Sequence, residues 1–222
     1  MTRRFVDRHA AGKTLAAALE HFAGRHDIVV LGLPRGGVPV AYEVAQALAA
    51  PLDVFIVRKL GVPGHEELAM GAIASGGVRV LNDDVVHWYQ LSAAAIDAVH
   101  KAERAELERR EQTYRGGRPP VSITGRVAIL VDDGLATGSS MRAAVLAVRD
   151  LQPSRIVVAV PVGAAETCRA LRQTADEVVC VQTPDPFRAV GLWYDDFSQT
   201  TDDEVRDLLA GAASSSSVKG RA

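Results

Sequence analysis

Two carboxylates followed by small and hydroxyl residues form the segment of this sequence with the plainest chemistry. Val127-Ala128-Ile129-Leu130-Val131 is apolar throughout, as a strand covered on both faces requires. It is followed by Asp132-Asp133-Gly134-Leu135-Ala136-Thr137-Gly138-Ser139-Ser140, and a helical pattern then runs from Ser139 to about Asp150. A helix N-terminus offers unpaired backbone N–H groups and a partial positive charge, which together hold a phosphate. Gly134 and Gly138 let the chain close around an anion, and Thr137, Ser139 and Ser140 add hydroxyl donors. Carboxylates accept hydrogen bonds from hydroxyl groups, so an acidic pair beside a phosphate cup matches a phosphorylated sugar. The glycine–lysine–serine/threonine ending of a nucleotide P-loop is missing. The plain structural alternative is an ordinary strand–loop–helix turn with Ser139 as its N-cap.

Three further segments carry candidate chemistry. Leu33-Pro34-Arg35-Gly36-Gly37 also joins a strand to a helix, so its amides can face an anion, with Arg35 supplying charge. Val57-Arg58-Lys59 ends a second apolar run, and Leu60-Gly61-Val62-Pro63-Gly64-His65-Glu66-Glu67 after it reads as a loop able to close over a site. Near the C-terminus, Phe187, Trp193, Tyr194 and Phe197 crowd together in a chain with 5% aromatic residues. A flat face on Phe187, Trp193 or Tyr194 can stack on a heterocyclic base, or the group can be a satellite apolar cluster.

The elements that must position these loops alternate between strand-length apolar runs and helical patterns, which predicts a parallel sheet built from βαβ units. The expected strands are Ile28–Leu31, Asp53–Val57, Val127–Val131, Ile156–Val160 and Glu177–Val181, with a hairpin of Gly71–Ala74 and Val78–Leu81 around Ser75-Gly76-Gly77. Helices are expected at Val38–Ala49, Ser139–Asp150 and Ala165–Gln173. Residues 92–115 form an inserted long helix with a thin apolar side (Ile96, Val99, Leu107, Tyr114) and acid-first pairs at Asp97–Lys101, Glu106–Arg110 and Glu111–Arg115. It reads as a solvated structural helix, a lid or a dimer contact. The fold class is thus α/β, an open, mainly parallel five-stranded sheet flanked by helices. One domain spans 1–213, and a serine-rich, disordered tail is expected over 214–222.

Bulk properties narrow the function. The 222 residues, 48% of them apolar, fit one domain, and a net charge of −2 gives no basic field for nucleic acid. Any anion site must therefore be local. No apolar run approaches the roughly 20 residues of a membrane span, and Met1–Lys13 has no signal-peptide core. A cytoplasmic protein is expected, with Cys168 and Cys180 as reduced structural thiols.

The string from Val127 to Ser140 resembles the signature by which type I phosphoribosyltransferases bind 5-phosphoribosyl 1-pyrophosphate (PRPP). The resemblance extends through Phe5-Val6-Asp7-Arg8, the Pro-Arg-Gly-Gly loop, Arg58-Lys59-Leu60-Gly61, Glu108-Arg109-Arg110 and Trp193-Tyr194-Asp195-Asp196-Phe197-Ser198-Gln199, and is closest to a group known only as predicted phosphoribosyltransferases. It implies that Asp132 and Asp133 hold the ribose hydroxyls as the catalytic acids. Ala136, Thr137, Gly138, Ser139 and Ser140 would cradle the 5-phosphate. Arg35, Gly36, Gly37, Arg58 and Lys59 would hold pyrophosphate, the first loop often through a strained or cis peptide. Residues 183–200 would form a small hood with Phe187, Trp193 and Tyr194 as its base pocket. Magnesium is implied as cofactor, held mainly by PRPP, with Asp195 as a candidate ligand. Glu66 and Asp195 are the candidates for a general base. The partners implied are PRPP and a nucleobase-like acceptor, in a homodimer. The lysine with which hypoxanthine-guanine members read the 6-oxo group has no counterpart, since Val160-Pro161-Val162-Gly163 stands there. The leading expectation is transfer of the phosphoribosyl group to a nitrogenous base. The alternatives are a non-catalytic PRPP sensor or regulator, and a sugar-phosphate hydrolase for which no nucleophile motif is present.

Overall fold

The computed structural model describes residues 3–219, with side chains described as far as residue 214. In chain order, helix α1 (Arg8–Ala18) precedes strand β1 (Ile28–Gly32), α2 (Gly37–Leu48) and β2 (Leu52–Val54). Strands β3 (Val57–Val62), β4 (His65–Ala74) and β5 (Val78–Leu81) follow, then α3 (Asp83–Trp88) and α4 (Ala93–Arg115). The chain continues with β6 (Val127–Val131), α5 (Ser139–Asp150), β7 (Arg155–Val162), α6 (Ala165–Leu171), β8 (Glu177–Gln182) and α7 (Asp202–Lys219).

The expected five-stranded sheet is present, in the order β2-β1-β6-β7-β8 with every pair parallel. Strand alternation explains its two covered faces. Ile28, Val30, Ile129 and Val131 point to one face and pack with Leu15, Val40 and Val44 of α1 and α2. Val29, Leu31, Ala128 and Leu130 point to the other and pack with Met141, Val145 and Val148 of α5. From β1 the chain crosses to β2 on one side, and from β6 it crosses to β7 on the other. The crevice between the C-terminal ends of β1 and β6 is therefore the switch point at which open α/β sheets bind ligands. Gly32 pairs with Val131 there, so the loops after both strands start side by side.

Residues 53–57, expected as one strand, divide between two sheets. β2 ends at Val54, and Val57 opens a separate antiparallel sheet of order β3-β4-β5. The apolar run is continuous because Val54, Phe55 and Ile56 are buried across the join. The 71–81 hairpin forms as expected, but β4 begins at His65. Its first half is exposed and polar, without the alternation that marks a half-buried strand. Consequently the segment expected as a closing loop is mostly ladder, with a tip at Pro63-Gly64 and register shifts between Leu60 and Val62.

The long helix α4 is capped by Ser92, whose side chain accepts from the Ala95 amide, and ends at Gly116 with φ +56°. Its apolar side is not left to solvent: Ile96, Leu107 and Tyr114 pack with Leu60, Met70 and Ile73 of the small sheet and Val205 and Leu209 of α7. Glu106–Arg110 and Glu111–Arg115 pair at 2.8 and 2.9 Å, while Asp97 turns to Arg79 at 3.0 Å rather than to Lys101. Arg115 also meets Asp53 at 2.9 Å in the interior. Where a disordered tail was expected from Ser214, α7 runs on to Lys219, anchored in its first turns by Val205 and Leu209, and residues 220–222 lie outside the described residues. Cys168 and Cys180 are free thiols. Among the described residues no helix is long and apolar enough to cross a membrane.

Candidate functional site

The loop after β6 and the loop after β1 meet in the switch-point crevice. Two glycines make the approach possible. A Cβ on Gly37 would stand 2.6 Å from the Val131 carbonyl oxygen and 2.9 Å from the Asp132 Cα. On Gly36 it would stand 2.0 Å from Asp133 Oδ2. The Pro34–Arg35 peptide is cis, as the family resemblance implied for this position. The Arg35 side chain, however, leans away toward Asp202 of α7 at 3.8 Å.

Helix α5 starts without a side-chain cap. Gly138 occupies the N-cap with φ +70°, a left-handed conformation that suits glycine, so the expected alternative of a Ser139 cap is corrected. Among the described residues, no acceptor engages the amides of Ala136, Thr137 and Gly138. Thr137 Oγ1 and Ser139 Oγ lie 3.1 Å apart, and Ala136, Thr137, Ser139 and Ser140 are exposed. The Thr167 hydroxyl donates to the Ala136 carbonyl at 2.6 Å and fixes the outer side of the loop. An uncapped, positively polarised helix end with free amides is a competent anion cup.

Asp132 and Asp133 sit at the inner edge of that cup. Burial pushes the Asp132 carboxyl well above its usual range, and the adjacent Asp133 charge pushes it further. Burial also raises Asp133, and Arg8 opposes that rise. The Arg8 Nε donates to Asp133 Oδ2 at 2.8 Å, its NH1 donates to the Ser198 carbonyl at 2.7 Å, and its guanidinium lies 4.0 Å over the Phe197 ring. Sequence reading missed Arg8 as a site residue. The available signal was a cation in the first turn of a helix, where the helix dipole disfavours it.

The Arg58-Lys59 pair divides, because neighbours on a strand face opposite ways. Arg58, expected to hold pyrophosphate, turns to α4 and meets Glu103 at 2.5 Å and Glu106 at 3.9 Å, linking the small sheet to that helix. Lys59 lines a cavity of about 830 Å3 between the small sheet and α5, shared with Ser139, Ser140 and Arg142.

The C-terminal segment packs on the cup as an aromatic cluster. Phe187, Val190 and Trp193 lie against Phe5, Val162 and Tyr194. Val190 fits against Gly134, where a Cβ would come within 2.5 Å of it. Tyr194 is 1% exposed and its hydroxyl donates to the Asp133 carbonyl at 2.6 Å, so it has no free face for stacking and its base-pocket assignment is corrected. Phe187 and Trp193 stay partly exposed, and the Trp193 Nε1 is buried without an acceptor among the described residues. Asp195 pairs with Arg4 at 3.2 Å. Among the described residues no three His, Cys, Asp or Glu side chains form a metal-holding group. Glu66 is exposed and holds the Gly64 amide at 3.2 Å in the hairpin tip.

Residues 8–196 match the model of the phosphoribosyl transferase domain, and the chain belongs to that family. A Mycobacterium tuberculosis protein, provisionally named a phosphoribosyl transferase, is 53% identical over 205 residues, which are 92% of this chain and 46% of that protein. The chain thus spans about half the length of these relatives. A Chloroflexus aurantiacus protein named bifunctional protein PyrR is 31% identical over 129 residues, 57% of this chain and 65% of its own. The crystal structure of Thermus thermophilus TT1426 superposes with a TM-score of 0.84 at 44% identity, covering 94% of this chain and 98% of that one.

Proposed function

We propose that this domain binds PRPP in the crevice between β1 and β6 and transfers its 5-phosphoribosyl group to a nitrogenous base, releasing pyrophosphate. The observation that carries the reading is the uncapped start of α5 beside two half-buried carboxylates, within a chain of the phosphoribosyl transferase domain family. The amides of Ala136, Thr137 and Gly138, with the Thr137, Ser139 and Ser140 hydroxyls, hold the 5-phosphate. Asp132 and Asp133 accept from the ribose hydroxyls. Gly36 and Gly37 bring the β1 loop backbone against the ribose and pyrophosphate, and Lys59 faces the phosphates from the small sheet.

In the transfer, the bond from ribose C1 to the pyrophosphate oxygen breaks and pyrophosphate leaves with the electron pair. The bond from a base nitrogen to C1 forms, and that nitrogen releases its proton to solvent water. Positive charge develops on the ring in between, and the two carboxylates lie close to it. The protein contributes position and electrostatics. Magnesium fits as a substrate-borne ion, since its usual sites combine one or two carboxylates with substrate phosphates rather than a protein cage. When bound, it neutralises charge on the pyrophosphate. Assembly as a homodimer belongs to the same proposal and is read from mass in solution.

The test is pyrophosphate release from magnesium-PRPP across purine, pyrimidine and pyridine bases. Base-dependent release supports the transferase. PRPP binding without release for any base selects a PRPP sensor. Absence of both binding and release sinks the proposal.

A further inference from the structure

We propose that Arg8 is a positioning residue of the ribose site, fixing the Asp133 carboxylate and tying it to the C-terminal segment; the inference rests on the PRPP reading above. Arg8 reaches three partners distant in sequence: the Asp133 carboxylate, the Ser198 carbonyl and the Phe197 ring. Its side chain is only 12% exposed, and that of Asp133 15%. The backbone on either side of it is held. Asp7 caps α1 by accepting from the Ala10 amide at 2.7 Å. The Asp195 and Asp196 amides donate to the Phe5 and Val6 carbonyls at 2.8 and 2.9 Å. The β1 loop closes over the pair, because the Cβ position on Gly36 lies 3.1 Å from the Arg8 Nε.

Its Nε is committed to Asp133 and its NH1 to Ser198, so the role inferred for Arg8 runs through Asp133. The single Nε–H bond fixes the position of Asp133 Oδ2, while the same planar guanidinium holds the Ser198 carbonyl through NH1. It also balances charge. The charged or titratable groups around Asp133 are Asp132 from the same strand end, Arg8 from α1, and Tyr194, whose hydroxyl holds the Asp133 backbone carbonyl; Asp196 faces Arg8 from its other side. Without Arg8, two half-buried neighbouring acids face each other uncompensated. Asp133 then keeps its proton to higher pH, and a protonated acid loses acceptor capacity toward ribose hydroxyls.

The experiment titrates magnesium-PRPP into the wild type, Arg8→Gln and Arg8→Lys by calorimetry over about pH 6 to 9, with thermal unfolding of each. Arg8→Gln is expected to weaken binding by about tenfold or more at neutral pH, with the acidic limb of the affinity profile moved to higher pH. Arg8→Lys restores the limb but not the full affinity, since an ammonium cannot hold Asp133 and the Ser198 carbonyl in one rigid plane. Affinity within about twofold of wild type at every pH for Arg8→Gln overturns the inference. So does a loss uniform in pH that tracks the unfolded fraction, which marks a purely structural role. Should Arg8→Gln not fold, wild-type affinity in Arg8→Lys overturns it equally. Failure of the wild type to bind PRPP removes the site reading itself, and this inference with it.

Discussion

Gly36→Ala places a methyl group at the tightest point of the crevice. Gly36 has φ −61° and ψ −29°, which alanine adopts without strain, so its effect is purely steric. The new Cβ would lie 2.0 Å from Asp133 Oδ2 and 2.8 Å from its Cγ, whereas ordinary contact begins at 3.4 Å. The carboxylate must therefore withdraw by about 1.4 Å, because Gly37 is already lodged against the Val131 carbonyl and the β1 loop has no room to retreat. Such a shift breaks the 2.8 Å contact with Arg8. Loss of a hydrogen bond between charged groups costs about 1.5–3 kcal/mol, or roughly 10- to 150-fold in affinity if the ribose needs that carboxylate in place. Gly211→Ala is the matched control: its nearest neighbours, on Tyr42, are 3.8 and 3.9 Å away, and alanine in a helix gains up to about 1 kcal/mol over glycine. Urea unfolding and calorimetric titration with magnesium-PRPP should show Gly36→Ala weakened in both and Gly211→Ala stabilised with unchanged binding. Wild-type stability and affinity in Gly36→Ala would refute the reasoning.

Arg58→Ala should lower the melting temperature by removing a strut worth about 1 kcal/mol, with PRPP affinity unchanged, while Lys59→Ala should weaken binding without destabilising; the reverse pattern contradicts the division of the pair. Asp132→Asn should lose PRPP affinity yet melt no lower than wild type near neutral pH. The reason is that a carboxyl whose folded pKa is raised by burial destabilises the fold once the unfolded form ionises. Tyr114 is pushed up to about 12, by burial first and then by its hydrogen bond to Asp202. Since the unfolded phenol ionises near pH 10, stability should fall as pH rises from about 10 to 12, and Tyr114→Phe should flatten that slope in urea unfolding.

The central sheet was legible because a strand covered on both faces must be apolar at consecutive positions, as Val127–Val131 is. The loop proposed to hold the phosphate was easy to single out because its residues are contiguous from Asp132 to Ser140. What escaped depends on contacts between distant segments. Arg8 and Asp133 are separated by 125 positions, and no local pattern joins them. Arg58 and Lys59 look alike as neighbours, and only the elements packed on either face of β3 give one Glu103 of α4 and leave the other beside Glu67 at the edge of the cavity. The first half of β4 escaped because its side chains are exposed, so no burial pattern was imposed on them. Tyr194 reads as a stacking aromatic until its burial beneath the Asp133 carbonyl is seen.

The central claim is that the Asp132–Ser140 loop is a PRPP site. Its most direct test is calorimetric titration of magnesium-PRPP into the wild type and the Asp132→Asn, Asp133→Asn double variant, with circular dichroism of both. The account predicts saturable binding to the wild type, and loss of that binding in a double variant that remains folded. Equal affinity in the two proteins would contradict it.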